Sequence, residues 1–427
     1  MIERVAALLI IVLTATSVLC AQPSKFVVAR DHQMYLDGKP YYFVGTNYWY
    51  GSLLGLEKDK RRGIGRLRRE LDFLKANGVT NLRLLAGAEG KGALNGVTRV
   101  GPPLQPEQGK FDVSVLDGLD LVLDEMSKRG MKAVIFFSNN WEWSGGFQQY
   151  LIWNRVVEDK WLTTKPSWDE LRDITAKFYS CEPCKAGYLK QVEFVMSRTN
   201  KYNNRKYADD PTIMAWEIAN EPRPMRPSAN DAYTKFVADT ASFIKARDKR
   251  HLVTIGHEGW IGAESNAIYK QIHADANVDY LTIHIWPKNW GWFRVDKMAE
   301  DYAAVEEKTR AYIATHIADA AMLAKPLVIE EFGLPRDGMS FDPASATTLR
   351  DRYFEYVLSY VKQSPHVAGA NFWAFGGSAR PVKDQFFWKA GDEYMGDPPM
   401  EEQGLNTVFD TDSSTWRVIT AAIGRNK

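Results

Sequence analysis

Two glutamates stand in settings that suit them for chemistry. Glu221 lies in Ala219-Asn220-Glu221-Pro222-Arg223, and Glu331 lies in Ile329-Glu330-Glu331-Phe332-Gly333. Each ends a short apolar run that reads as a buried strand, Ile213 to Ile218 and Leu327 to Ile329, and each run gives way to a strand-breaking Pro or Gly. Carboxyls lifted to the ends of two parallel strands are what a retaining glycosidase needs, one to shuttle a proton and one to attack the sugar.

The elements that must hold these residues alternate between strands and amphipathic helices. Candidate strands are Tyr41 to Thr46, Thr80 to Leu85, Lys132 to Phe137, Ile213 to Asn220, Leu252 to Gly256, Tyr280 to His284, Leu327 to Glu331 and Gly369 to Trp373. Helical periodicity is clear over Ile64 to Asn77, Val115 to Arg129, Ala232 to Lys245 (after the expected cap Asp231) and Arg352 to Lys362. Eight strands with helices between them are the count for an α/β chain folded as one (β/α)8 TIM barrel. A doubly wound open sheet is the competing architecture, but no glycine-rich phosphate turn follows the first strand. Two connections are long, Asn139 to Asp209 and Ala379 to Met400. Both follow strands, so they belong to the C-terminal face, where barrel active sites are built, and are expected to wall a cleft.

The bulk properties agree with one large enzyme domain. A chain of 427 residues accommodates a barrel with insertions, and no low-complexity linker divides it, so residues 22–427 read as a single catalytic domain. Formal net charge is +1, and the short Lys58 to Arg62 run reads as a solvated loop or helix start, which leaves nucleic-acid binding without support. Tryptophan is abundant, with 14, and several stand among polar residues in apparent loops, as in Trp286-Pro287-Lys288-Asn289-Trp290-Gly291-Trp292. Such rings suit the apolar faces of pyranose sugars.

Residues 1–21 read as a signal peptide, with an apolar stretch from Val5 to Val12 too short to span a bilayer. Secretion is the expectation; Ser17-Val18-Leu19-Cys20 leaves a lipid-anchored surface form as the alternative. The remaining cysteines, Cys181 and Cys184, have a spacing open to redox, metal or disulfide roles. No histidine stands nearby to complete a metal site, and a small structural disulfide is the expected outcome in an exported chain.

Asn220-Glu221-Pro222-Arg223, His284-Ile285-Trp286-Pro287 and Glu330-Glu331-Phe332-Gly333, in that order on strands four, six and seven, resemble glycoside hydrolase family 5, and within it the endo-β-1,4-mannanases. The resemblance covers essentially the whole mature chain. It implies Glu221 as general acid/base and Glu331, not Glu330, as nucleophile, a choice that strand alternation supports. It implies that Arg83 keeps the nucleophile ionised and oriented, that Asn220 bonds the sugar 2-hydroxyl, and that His284 lies near the acid/base. It places Trp373 under the reacting sugar, Trp49 and Trp141 along the cleft, and Arg223 on the leaving-group side. Many relatives carry Tyr two residues after the strand-six histidine. This chain has Trp286, whose N–H can donate but which can neither accept a proton nor ionise.

The function implied is secreted, retaining, endo-acting hydrolysis of mannan, glucomannan or galactomannan. No cofactor or metal is needed for two carboxylates to do this, and a monomer without protein partners is expected. The alternatives are a β-1,4-glucanase, an exo-mannosidase or transglycosylase on the same machinery, and a non-catalytic sugar-binding barrel.

Overall fold

The computed structural model describes residues 25–424; the expected signal peptide lies outside them. Eight strands form its centre: β1 (Phe43–Asn47), β2 (Asn81–Leu85), β3 (Lys132–Phe136), β4 (Ile213–Glu217), β5 (Leu252–Thr254), β6 (Leu281–Ile285), β7 (Leu327–Phe332) and β8 (Val367–Phe372). They pair in parallel in the order β5-β4-β3-β2-β1-β8-β7-β6. The remaining seam, between β5 and β6, is joined by backbone bonds from Asp279 N to Val253 O (2.8 Å) and from His284 N to Glu258 O (2.9 Å). The expected (β/α)8 barrel is therefore the fold, and all eight expected strands are present.

Each strand is followed by a helix on the outer surface: α1 (Lys60–Ala76), α2 (Val113–Lys128), α3 (Glu182–Met196), α4 (Asn230–Arg247), α5 (Asn266–His273), α6 (Met298–Leu323), α7 (Thr348–Gln363) and α8 (Ser413–Gly424). Helices outside and side chains inside bury both faces of the strands, which is why they read as continuous apolar runs rather than alternating ones. Local chemistry sets the helix starts. Asp59 accepts from the Arg61 and Arg62 amides at the head of α1, and Asp112 accepts from the Ser114 amide at the head of α2. One expected cap is corrected: α4 begins at Asn230, so Asp231 lies inside its first turn, where its charge still favours the helix N-terminus.

Sequence reading did not anticipate a small antiparallel meander, Val28–Arg30, Gln33–Leu36 and Lys39–Pro40, ahead of the barrel. Its Met34 packs with Phe43, Val134, Met214, Leu252, Val328 and Ala368, residues near the N-terminal ends of the barrel strands. The meander thus seals the face opposite the site. Cys181 and Cys184 form a disulfide with Cα atoms 5.2 Å apart, and Cys181 caps α3.

Candidate active site

The strands deliver the two glutamates to one place. β4 ends at Glu217, and the chain runs on to Glu221, whose amide donates to Gly256 O beyond β5 (2.9 Å). Glu221 has a φ of 51°, a left-handed conformation that a non-glycine residue adopts only when its surroundings enforce it. Glu331 is the fifth residue of β7. An oxygen of Glu221, an oxygen of Glu331 and a ring nitrogen of His284 all lie within 4.8 Å of one another.

Their partners differ. Glu331 Oε1 accepts from Arg83 Nη1, and its Oε2 accepts from the Trp286 indole at 3.1 Å. Glu221 Oε2 accepts from the Trp141 indole at 2.6 Å, and its Oε1 lies 2.7 Å from His284 Nδ1. Burial pushes both carboxyls above their ordinary range; Arg83 opposes the rise at Glu331, and Arg223 with the Trp141 N–H opposes it at Glu221. Repulsion between the two adds to the rise at Glu331. Burial also lowers the His284 imidazole to about 4, so the ring is neutral at neutral pH.

Beneath this pair, Arg83 at the centre of β2 serves several groups. Its Nε and Nη2 hold Glu217 at 2.8 and 2.5 Å, and its Nη2 also donates to Asn220 Oδ1 at 2.7 Å. Asn220 is further fixed through Asn139 Oδ1, 3.1 Å from its Nδ2. Glu330 lies 3.8 Å from Arg83 Nε and 3.5 Å from His284 Nε2. Strand alternation therefore does not separate Glu330 from Glu331 in the simple way expected. The register of β7 against β6 shifts here, Ile283 pairing with Ile329 and His284 with Glu331, and this bulge turns both carboxyls toward Arg83. Access separates them instead, because Glu331 lines the cleft and Glu330 is sealed under it.

The cleft is a cavity of about 500 Å³. Trp373 and Trp286 form one wall, with ring centroids 5.7 Å apart, and Trp141, Trp143 and Trp168 come from the long Asn139 to Asp209 connection. Pro398, Met400 and Glu401 come from the end of the second long connection and beyond it, so both segments wall the cleft as expected. Arg223 stacks under Trp141 at 4.9 Å and grips Glu258 through Nε and Nη2.

Among the tryptophans expected at the cleft, Trp49 does not line it. It is 1% exposed, packs on Trp143 at 5.1 Å and donates its N–H to Gly396 O at 2.8 Å. It braces a cleft wall from behind rather than lining it. The ring follows β1 closely, and the second long connection folds over it.

The family model described as "GH family 5 beta-mannosidase-like" matches residues 24–424. The chain belongs to glycoside hydrolase family 5. This hydrolase is 29% identical to "Mannan endo-1,4-beta-mannosidase 1" of Oryza sativa subsp. japonica over 412 residues, 92% of this chain and 84% of that one. It is 27% identical to "Mannan endo-1,4-beta-mannosidase 4" of Solanum lycopersicum, covering 93% of this chain and 90% of the other. Among solved structures, the family 5 mannosidase of Rhizomucor miehei superposes with a TM-score of 0.81 at 29% identity, over 94% of this chain and 98% of that one.

Sequence reading missed several residues of the hydrolase cleft. Glu258 had a usable signal, since Gly256-His257-Glu258 repeats at β5 the pattern of polar residues after an apolar strand. Burial pushes Glu258 up to about 7 against the pull of Arg223. Met400 and Glu401 had none, because nothing local marks which residue of a long loop folds back over a barrel.

Proposed function

We propose that this hydrolase cleaves β-1,4-mannosidic bonds with net retention of configuration. Glu331 attacks the anomeric carbon while Glu221 protonates the leaving oxygen; water, deprotonated by Glu221, then releases the sugar from Glu331. The observation that carries this reading is the approach of the two carboxyls within 4.8 Å in one cleft, close to the separation of about 5–5.5 Å that covalent catalysis uses and shorter than the roughly 6.5–9.5 Å of a pair that activates water for direct attack. Glu331 pairs with the Arg83 guanidinium and the Trp286 N–H, which favour its ionised form, whereas Glu221 has one indole N–H, from Trp141, and a neutral imidazole against it. This division suits a nucleophile beside an acid. Trp373, in the cleft wall beside Trp286, presents a flat apolar surface to the reacting sugar.

The names of the rice and tomato relatives favour mannan as substrate and endo-cleavage as mode. A cavity of about 500 Å³, walled by Pro398, Met400 and Glu401, favours a second reading of the mode, in which short manno-oligosaccharides are shortened from one end. Export is proposed from residues 1–21, and cell fractionation tests it.

Incubation with mannohexaose tests the proposal. Retention appears as the β-anomer formed first by proton NMR, and Glu331→Ala lowers kcat by about 10⁴-fold or more in a folded protein. A ladder of products marks endo-cleavage, and mannose with mannopentaose marks end-wise attack. An α-anomer formed first, or retained turnover in Glu331→Ala, would overturn the assignment.

A further inference from the structure

Outside the cleft, the loops after β5 and β6 build a second groove of about 370 Å³. Its aromatic residues are Trp260, which opens a short helix after β5, Trp290 and Trp292 from the loop after β6, and Tyr312 of α6. Trp290 lines both this groove and the cleft, so the two share a wall. The groove floor is fixed. Trp290 packs on Trp292 at 5.0 Å and on Tyr312 at 5.1 Å, and the Tyr312 hydroxyl donates to Glu258 O at 2.7 Å. Lys308 at the rim donates to Trp292 O at 3.2 Å.

Packing accounts for Tyr312 and for much of Trp290, but not for Trp260. That ring touches Tyr312 at a centroid distance of 5.9 Å and remains 40% exposed, although the same fold buries Trp49, Trp143 and Trp216 almost completely. Trp260 joins Ile261, Trp290 and Trp292 in one apolar surface that shares a wall with the active-site cleft, and a contiguous patch of that kind marks a binding surface. Its position also indicates a direction. Trp260 is two residues beyond Glu258, and Glu258 with Arg223 flanks Glu221, the acid that faces the leaving oxygen in the reading above.

We propose that this groove binds the leaving-group side of a β-1,4-mannan chain, with Trp260 and Trp292 stacking on sugars beyond those held in the cleft. The proposal rests on the mannan reading of the active site and adds binding positions outside it. Flat apolar rings bordered by one lysine suit an uncharged polysaccharide, whose pyranose faces bury C–H surface while their hydroxyls stay in water. The groove acts on long substrates and leaves the chemistry at Glu331 unchanged.

Trp260→Ala and Trp292→Ala test this against wild type, with mannohexaose as the long substrate and an aryl β-mannoside as the short one. The expected result is a KM for mannohexaose raised about three- to tenfold in each variant, with kcat/KM on the aryl mannoside unchanged. Equal kinetics of wild type and both variants on the long substrate overturn the groove while leaving the active-site reading intact. Equal losses on both substrates, with a lowered Tm, make the rings structural and likewise overturn it. A wild type that cleaves cellohexaose but neither mannose-based substrate overturns the mannan reading, and the groove proposal falls with it.

Discussion

At the scale of single residues, the site gives two chemically identical carboxyls different neighbours. Glu331 meets a guanidinium and an indole N–H, whereas Glu221 meets an indole N–H and a neutral imidazole. Under the proposed mechanism, activity needs one proton on the pair. The rate falls at low pH when Glu331 gains a proton and at high pH when Glu221 loses its own. Burial raises Glu221, so the alkaline limb lies above the range of a free carboxyl. The Trp141 N–H stabilises the ionised form of Glu221 and so lowers its pKa; Trp141→Phe removes that donor and moves the alkaline limb of kcat/KM to higher pH. An unmoved or lowered limb contradicts this role for the indole. Glu330 supplies a second comparison. One guanidinium faces Glu217, Glu330 and Glu331, and burial together with the Glu217 charge raises Glu330 above the ordinary carboxylate range. Glu330→Gln, a neutral isostere, should keep kcat within about tenfold, while Glu331→Gln should lose about 10⁴-fold. Steady-state kinetics on one mannan substrate compares the two directly.

At the scale of elements, the position of Glu221 depends on the crossing of the chain with the end of β5. Gly256 has a φ of 79°, and its carbonyl accepts the Glu221 amide. A Cβ there would lie 2.2 Å from Ala219 O and 2.2 Å from Glu217 Oε1, so the close approach requires glycine. Gly256→Ala should cost about 2 kcal/mol or more in chemical denaturation and should lower kcat as well, because Glu221 must shift to relieve the contact. Wild-type stability and rate in that variant would show that the crossing does not set the acid. The bulge in β7 is the counterpart on the other side. It adds Glu330 without rotating Glu331 away from the cleft, and so lets one strand supply both a sealed acid and one that lines the cleft.

At the scale of the whole molecule, buried acids tie the loops of the C-terminal face to the barrel. Glu89, after β2, accepts from Ser138 Oγ (2.7 Å), the Gly146 amide (3.0 Å) and Gln191 Nε2 (2.7 Å), linking the long Asn139 to Asp209 connection to the strands. Burial pushes its carboxyl up to about 7, whereas an exposed glutamate titrates near 4.5. The folded state therefore holds this proton where the unfolded chain has released it. The associated stability is complete below about pH 4.5 and is lost as pH rises to about 7, a difference of about 3 kcal/mol at most. Glu258, also raised to about 7, acts in the same direction. Thermal unfolding from pH 5 to 8 should show a falling Tm, and Glu89→Gln should flatten that slope whatever its absolute Tm. An unchanged slope would sink the role of Glu89.

Local pattern alone determined much of this protein. Eight apolar runs identified eight strands, because strands buried on both faces are largely apolar, and the motifs at Glu221 and Glu331 marked a carboxyl at the ends of two of them. Tertiary structure decided what local pattern cannot encode. It placed Trp49 behind the wall, brought Glu258, Met400 and Glu401 into the cleft, bulged β7 so that Glu330 also turns toward Arg83, and left Trp260 exposed beside Trp290. The reason is physical: strand identity follows from side-chain burial along a few adjacent residues, whereas cleft membership depends on how loops distant in sequence pack over the same end of the barrel.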